Sequence, residues 1–174
     1  MQGTRANLQG VNLRGANLLD ANLWDADLRG ANLQGANLRC ADLQGVNLQG
    51  VNLQGANLQG ANLRYADLQG VNLQGVNLRG VNLQDANLTG ANLRDANLHG
   101  ANLQGANLQG ANLQGAKLQF ANLEGAKFAT NFKKVGWFEY VTFSEDQIPW
   151  VVLHRKYPEW ADTLKWVKVK QLSA

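Results

Sequence analysis

Residues 6–30 read Ala-Asn-Leu-Gln-Gly, Val-Asn-Leu-Arg-Gly, Ala-Asn-Leu-Leu-Asp, Ala-Asn-Leu-Trp-Asp, Ala-Asp-Leu-Arg-Gly, and the same five-residue unit runs on without insertion to Gly125. A short fixed period overrides ordinary propensity arguments. Leucine stands at Leu8, Leu13, Leu18 and every fifth position through Leu123, and Phe128 takes the next place. On an α-helix, five residues overshoot a full turn by about 140°, which scatters the leucines around the cylinder. On an unbroken strand, an odd spacing sends successive leucines to opposite faces. What remains is a corner in every unit.

With a corner per unit, each Leu and the Ala or Val two positions before it share one interior, because alternate strand residues point the same way. Gly closes most units, as at Gly10, Gly15 and Gly30, and suits a corner because it tolerates positive φ. Corners of one sense generate a solenoid. Three leucines around the axis would crowd, and five would leave a void that protein interiors do not tolerate. Four sides, or twenty residues per coil, fit best. A weak twenty-residue echo joins Val51 to Val71, and Asp27 recurs two coils on at Asp67.

The unit, with its Asp variants at Asp27, Asp42 and Asp67, resembles the A(D/N)LXX motif of the pentapeptide repeat family. The resemblance covers 24 consecutive units, residues 6–125. It implies an all-β solenoid, a right-handed quadrilateral parallel β-helix with the central Leu or Phe and the preceding small residue inside. The family is abundant in cyanobacteria. It includes DNA mimics that protect a type II topoisomerase, regulators acting through protein contacts, and members of unknown role.

Three segments follow from this reading. Residues 1–5 precede the register. Residues 6–145 form the β-helix, regular over 6–125 and degenerate over 126–145, where aromatics at Phe128, Phe138 and Phe143 keep the five-residue grid. Counted so, the helix holds 28 units, about seven coils of 20 residues, or a rod of about 34 Å at the usual strand spacing. Residues 146–174 differ in kind, with both prolines of the chain (Pro149 and Pro158) and tryptophans at Trp150, Trp160 and Trp166. Pro158 suits the first position of a helix, and Trp160, Leu164 and Val167 then share a face. This tail is expected to be a short, partly helical C-terminal cap; docking onto a partner is the alternative.

Composition narrows the function. Residues 6–130 carry 8 Lys/Arg and 8 Asp/Glu, and the surplus behind the net charge of +3 lies outside them. Dense acidic mimicry of DNA, the alternative function, is therefore disfavoured. Only Arg155, Lys156, Lys165, Lys168 and Lys170 approach a basic stripe, so nucleic-acid binding is not expected. No apolar run is long enough for a membrane span and no secretion signal opens the chain; the expected compartment is the cytoplasm. Cys40, the sole cysteine, excludes an intrachain disulfide. His99 and His154 are the only histidines; Asp95 stands near His99 in sequence, but no nucleophile and base recur at a working spacing. No P-loop, dinucleotide fingerprint or zinc spacing occurs. The expected activity is non-enzymatic, with no catalytic residue, cofactor or metal.

Candidate interaction residues are departures from the repeat. Leu19 and Trp24 are apolar where most units carry Gln or Arg, and Tyr65 and Phe120 replace corner glycines. On a four-sided coil Tyr65 shares a side with Asp25, Asp85 and Trp24, and Phe120 shares one with Cys40 and Leu19. The first coil, residues 6–25, would expose an apolar cross-section and an unpaired edge. That end is expected to meet a protein partner or a second copy; fraying, or a missing N-terminal segment, is the alternative. The Asn row is expected to stack into amide ladders along the axis.

Overall fold

The computed structural model describes residues 6–128. Residues 20 apart pair in parallel throughout, from Asn7 with Asp27 to Asn102 with Asn122. Strand β1 (Asn107–Leu108) pairs in parallel with strand β2 (Lys127–Phe128), Asn107 opposite Lys127. A twenty-residue step means four units to a coil, so residues 6–125 make six four-sided coils. The expected degenerate coil beyond residue 128, the expected C-terminal cap of residues 146–174 and residues 1–5 lie outside the described residues.

Each side is barely a strand. Apart from the β1–β2 pair, the Asn-row residue of each side, Asn or Asp except at Lys117, makes the bridge, and the bonds alternate in direction along the axis. Leu13 N–H donates to the Asn32 carbonyl one coil on (2.8 Å), while Asn32 N–H donates back to the Val11 carbonyl (3.0 Å). Corner amides add a third link, as Gly15 N–H donates to the Gln34 carbonyl at 2.8 Å.

Every corner is a four-residue turn from Leu to the next Ala or Val, closed by an N–H···O=C bond of 2.9–3.3 Å. Positive φ falls only on the third residue of each turn, which is the type II arrangement. Seventeen of the 24 corners use Gly; the rest hold Asp20, Asp25, Cys40, Tyr65, Asp85, Asp95 and Phe120 at φ of 54–60°. Repeating one turn type explains how a five-residue period keeps all leucines inward.

The core is one axial column. From Ala26 onward the inner Ala, Val and Leu rows are buried, with Ala111 alone partly exposed, whereas Leu8, Leu13, Leu18 and Leu23 of the first coil are only partly covered. Burying apolar surface contributes about 25 cal/mol per Å², and each coil supplies four Leu and four small residues to the same column. Stability therefore accrues coil by coil.

The Asn row does more than the expected ladder. Side-chain amides do link coils, as Asn37 Nδ2 donates to Asn17 Oδ1 (3.0 Å) and Asn92 Nδ2 to Asn72 Oδ1 (3.0 Å). The more regular task is local: Oδ1 accepts the backbone N–H two residues later, as Asn47 does from Gln49 at 3.0 Å and Asp67 from Gln69 at 3.1 Å. This Asx geometry satisfies the turn's own amide. Lys117 stands in the row and has no acceptor to offer the Gln119 N–H. Lys117→Asn is expected to stabilise the protein by about 1 kcal/mol, read as a higher denaturation midpoint.

Candidate interaction faces

The four sides are not equivalent. The first side comprises units 6–10, 26–30 and their successors, and its corner row, Gly10 through Gly110, is entirely Gly. The second, starting at 11–15, has Gly at every corner but Asp95, and its Asn row is unbroken from Asn12 to Asn112. Six of the seven non-glycine corners fall on the third and fourth sides, which start at 16–20 and 21–25. So do the four large exposed apolar side chains among the described residues, Leu19 (46 %), Trp24 (56 %), Tyr65 (51 %) and Phe120 (54 %).

The third side carries Leu19 at its N-terminal end and Phe120 five coils, about 24 Å, away. Phe120 packs against His99, ring centroids 5.1 Å apart and tilted 57°. The fourth side carries Trp24 and, two coils on, Tyr65, over whose ring the Arg64 guanidinium sits at 4.6 Å. Sequence placed these pairs on shared sides correctly; that the two sides adjoin follows from the order of units around the coil. The cation–π contact was not foreseen, although adjacent Arg and Tyr at a corner are its signal.

Backbone geometry makes the aromatics costly. Tyr65 has φ of 58° and Phe120 of 60°, a region that costs an L-residue roughly 1–2 kcal/mol. An exposed ring recovers little of this by burial, and an exposed cation–π pair returns only about 0.5–1 kcal/mol. Tyr65→Gly is therefore expected to raise stability by about 0.5–1 kcal/mol, measured as a rise in denaturant midpoint. A residue that weakens its own fold is a candidate for another role.

Chemistry is sparse elsewhere. His99 does not join Asp95, whose carboxylate meets Arg94 Nε at 3.3 Å. Asp27 forms a forked pair with Arg29, Nη2 to Oδ2 at 2.6 Å and Nε to Oδ1 at 2.9 Å. Hydrogen bonding from Arg29 holds the Asp27 carboxyl below the ordinary carboxylate range, and Asp27 raises the Arg29 guanidinium in turn. Both groups face solvent, where such pairs contribute little. Cys40 is exposed, on the same corner row as Phe120. Among the described residues, no three His, Cys, Asp or Glu side chains converge as metal ligands, and no helix is long and apolar enough to cross a membrane.

Similar solved proteins include alr5209, a pentapeptide repeat protein from Nostoc PCC 7120, at 35 % identity over 76 % of this chain and 84 % of that one, TM-score 0.31. Rfr23, a pentapeptide repeat protein from Cyanothece 51142, is 31 % identical over 79 % of this chain and 91 % of that one, TM-score 0.28. Full-length QnrB1, a plasmid-mediated fluoroquinolone resistance protein, is 17 % identical over 87 % and 73 %, TM-score 0.42. No curated protein matches the chain. The profile of the family described as pentapeptide repeats (8 copies) matches residues 6–45, 41–80, 56–95 and 91–129. With that match over most of the chain and the twenty-residue parallel pairing, this protein belongs to the pentapeptide repeat family, whose members form right-handed quadrilateral β-helices.

Proposed function

We propose that the protein is a non-enzymatic structural or interaction protein of the cytoplasm, a β-helical rod that binds other proteins through its third and fourth sides and its first coil. One observation carries this reading: Leu19, Trp24, Tyr65 and Phe120, the large exposed apolar side chains among the described residues, share two adjoining sides, while the other two sides carry Asn or Asp rows with glycine at every corner but Asp95. Aromatic residues are the usual anchors of protein interfaces. DNA mimicry, known in the family, would need dense acidic surface, and residues 6–130 carry as many basic as acidic side chains.

Affinity capture from lysate of the source organism tests the proposal. The wild type is expected to retain a defined partner that Trp24→Gln with Tyr65→Gly loses, and that Gln54→Ala with Gln74→Ala, on the second side, keeps. Equal retention by both double variants would count against the two-sided face.

A further inference from the structure

We propose that the outer edge of the first coil is a self-complementary pairing surface at which two copies of this chain join, two-fold related, through antiparallel backbone bonds. This deepens the reading above and rests on it only in that the rod acts by contact. In the second coil every bridging residue turns both its N–H and its C=O toward the coil before it: Asp27, Asn32, Asn37 and Asp42 donate to Ala6, Val11, Ala16 and Ala21, and accept from Leu8, Leu13, Leu18 and Leu23. Asn7, Asn12, Asn17 and Asn22 hold the equivalent places in the first coil, with the same two groups facing outward. Among the described residues nothing bonds to them there.

A residue with N–H and C=O on one edge is the hydrogen-bonded pair position of an antiparallel ladder. When two such coils meet about a dyad their edge strands run antiparallel, so each of the four asparagines exchanges two bonds with an asparagine of the second copy. The edge is a spiral that climbs one coil between residues 6 and 25. Two spirals stay parallel around their whole length only if the dyad passes by the Arg14–Gly15 turn. That sets Asn12 against Asn17 of the second copy, Asn7 against its Asn22, and Leu19 over its Gly10, a corner with no side chain.

Two further observations favour a second copy. In the outward row after each Leu, the only apolar side chains of the 24 units are Leu19 and Trp24, consecutive and both in the first coil. The partly covered Leu8, Leu13, Leu18 and Leu23 lie beside them. Head-to-tail stacking would instead need the far end of the coil, where Gly125 and Ala126 have further interactions and 46 residues follow position 128. A two-fold contact closes on itself and does not propagate into fibres.

Sedimentation and hydrogen exchange of the full chain test this. The chain is expected to sediment at twice 18.9 kDa at micromolar concentration, with the Asn7, Asn12, Asn17 and Asn22 amides protected and losing protection on dilution. Leu19→Gln with Trp24→Gln, which restores the residue most units carry, is expected to weaken association tenfold or more without changing the circular dichroism. In a Cys40→Gly background, Arg14→Cys is expected to cross-link two copies under mild oxidation and Gln114→Cys, on the same side five coils away, is not. A monomer at all concentrations, a dimer indifferent to the Leu19/Trp24 variant, fast exchange at the four amides, or cross-linking through Gln114→Cys alone overturns the proposal. A monomer that still captures a partner through Trp24 and Tyr65 removes the pairing and leaves the interaction role standing.

Discussion

Leu73→Asn is expected to cost about 4–6 kcal/mol, the largest loss from any conservative-sized change in the coil. Leu73 is buried in a middle coil. Its replacement forfeits apolar burial of the order seen in buried leucine truncations, about 2–5 kcal/mol, and adds an amide with no partner in the column, about 1–3 kcal/mol more. Leu78 and Val71 are buried in the same core column, and Leu73 itself is 1 % exposed, so the amide has no exit to water. Gln74→Ala, one residue on and exposed, is expected to stay within about 0.5 kcal/mol. Equilibrium denaturation of both variants measures the difference, and similar midpoints would reverse the inward and outward rows.

Asn82→Pro is expected to be the second most damaging, at about 3 kcal/mol or more. The Asn82 N–H donates to the Ala61 carbonyl at 2.9 Å, and proline leaves that interior acceptor unmet. The substitution also removes Oδ1, which accepts from Gln84 N–H at 3.1 Å and from Asn102 Nδ2 at 3.3 Å. Three bonds on one side of one coil are lost together. Asn12→Pro offers a control at an equivalent position, because its N–H faces the outer edge. It is expected to lose only the acceptor for Arg14 N–H (3.3 Å), about 1 kcal/mol, and to disfavour pairing of two copies. Denaturant midpoints separate the two sites if coil-to-coil bonds hold the rod together.

Much of this was legible because the leucine period admits so few solutions. A spacing of five defeats both helix and strand, and volume then selects four sides, which the Asn7 to Asp27 pairing bears out. The inward Ala and Val and the outward Gln and Arg followed from alternation alone. Periodicity points to the donors of the Asn row, as ladders, whereas its acceptors are the more regular feature. The clue lay in the substitutions: Asp replaces Asn at positions 27, 42 and 67, while Gln, with an equal amide but a longer arm, never does. Short reach and an oxygen are what the turn amide needs.

The candidate faces were legible as exceptions, not as a surface. Leu19, Trp24, Tyr65 and Phe120 stand out against their rows, yet only the order of units around the coil shows two adjoining sides carrying them all. Backbone strain at Tyr65 and Phe120 was likewise hidden, because the sequence shows a missing glycine and not whether the turn relaxes around its replacement. The structure keeps the turn and leaves the ring at positive φ. Outward polarity of the asparagine backbone groups in the first coil depends on bond direction, which periodicity does not carry.

The central claim, that twenty residues return the chain to the same side one strand spacing further on, is most directly tested by distances between paired spin labels on the second side. In a Cys40→Gly background diluted with unlabelled chain, labels at positions 34 and 114 are expected about 19 Å apart and labels at 14 and 114 about 24 Å apart, a rise of one strand spacing per coil. Separations that fail to step by about 4.8 Å for each twenty residues would contradict the four-sided coil.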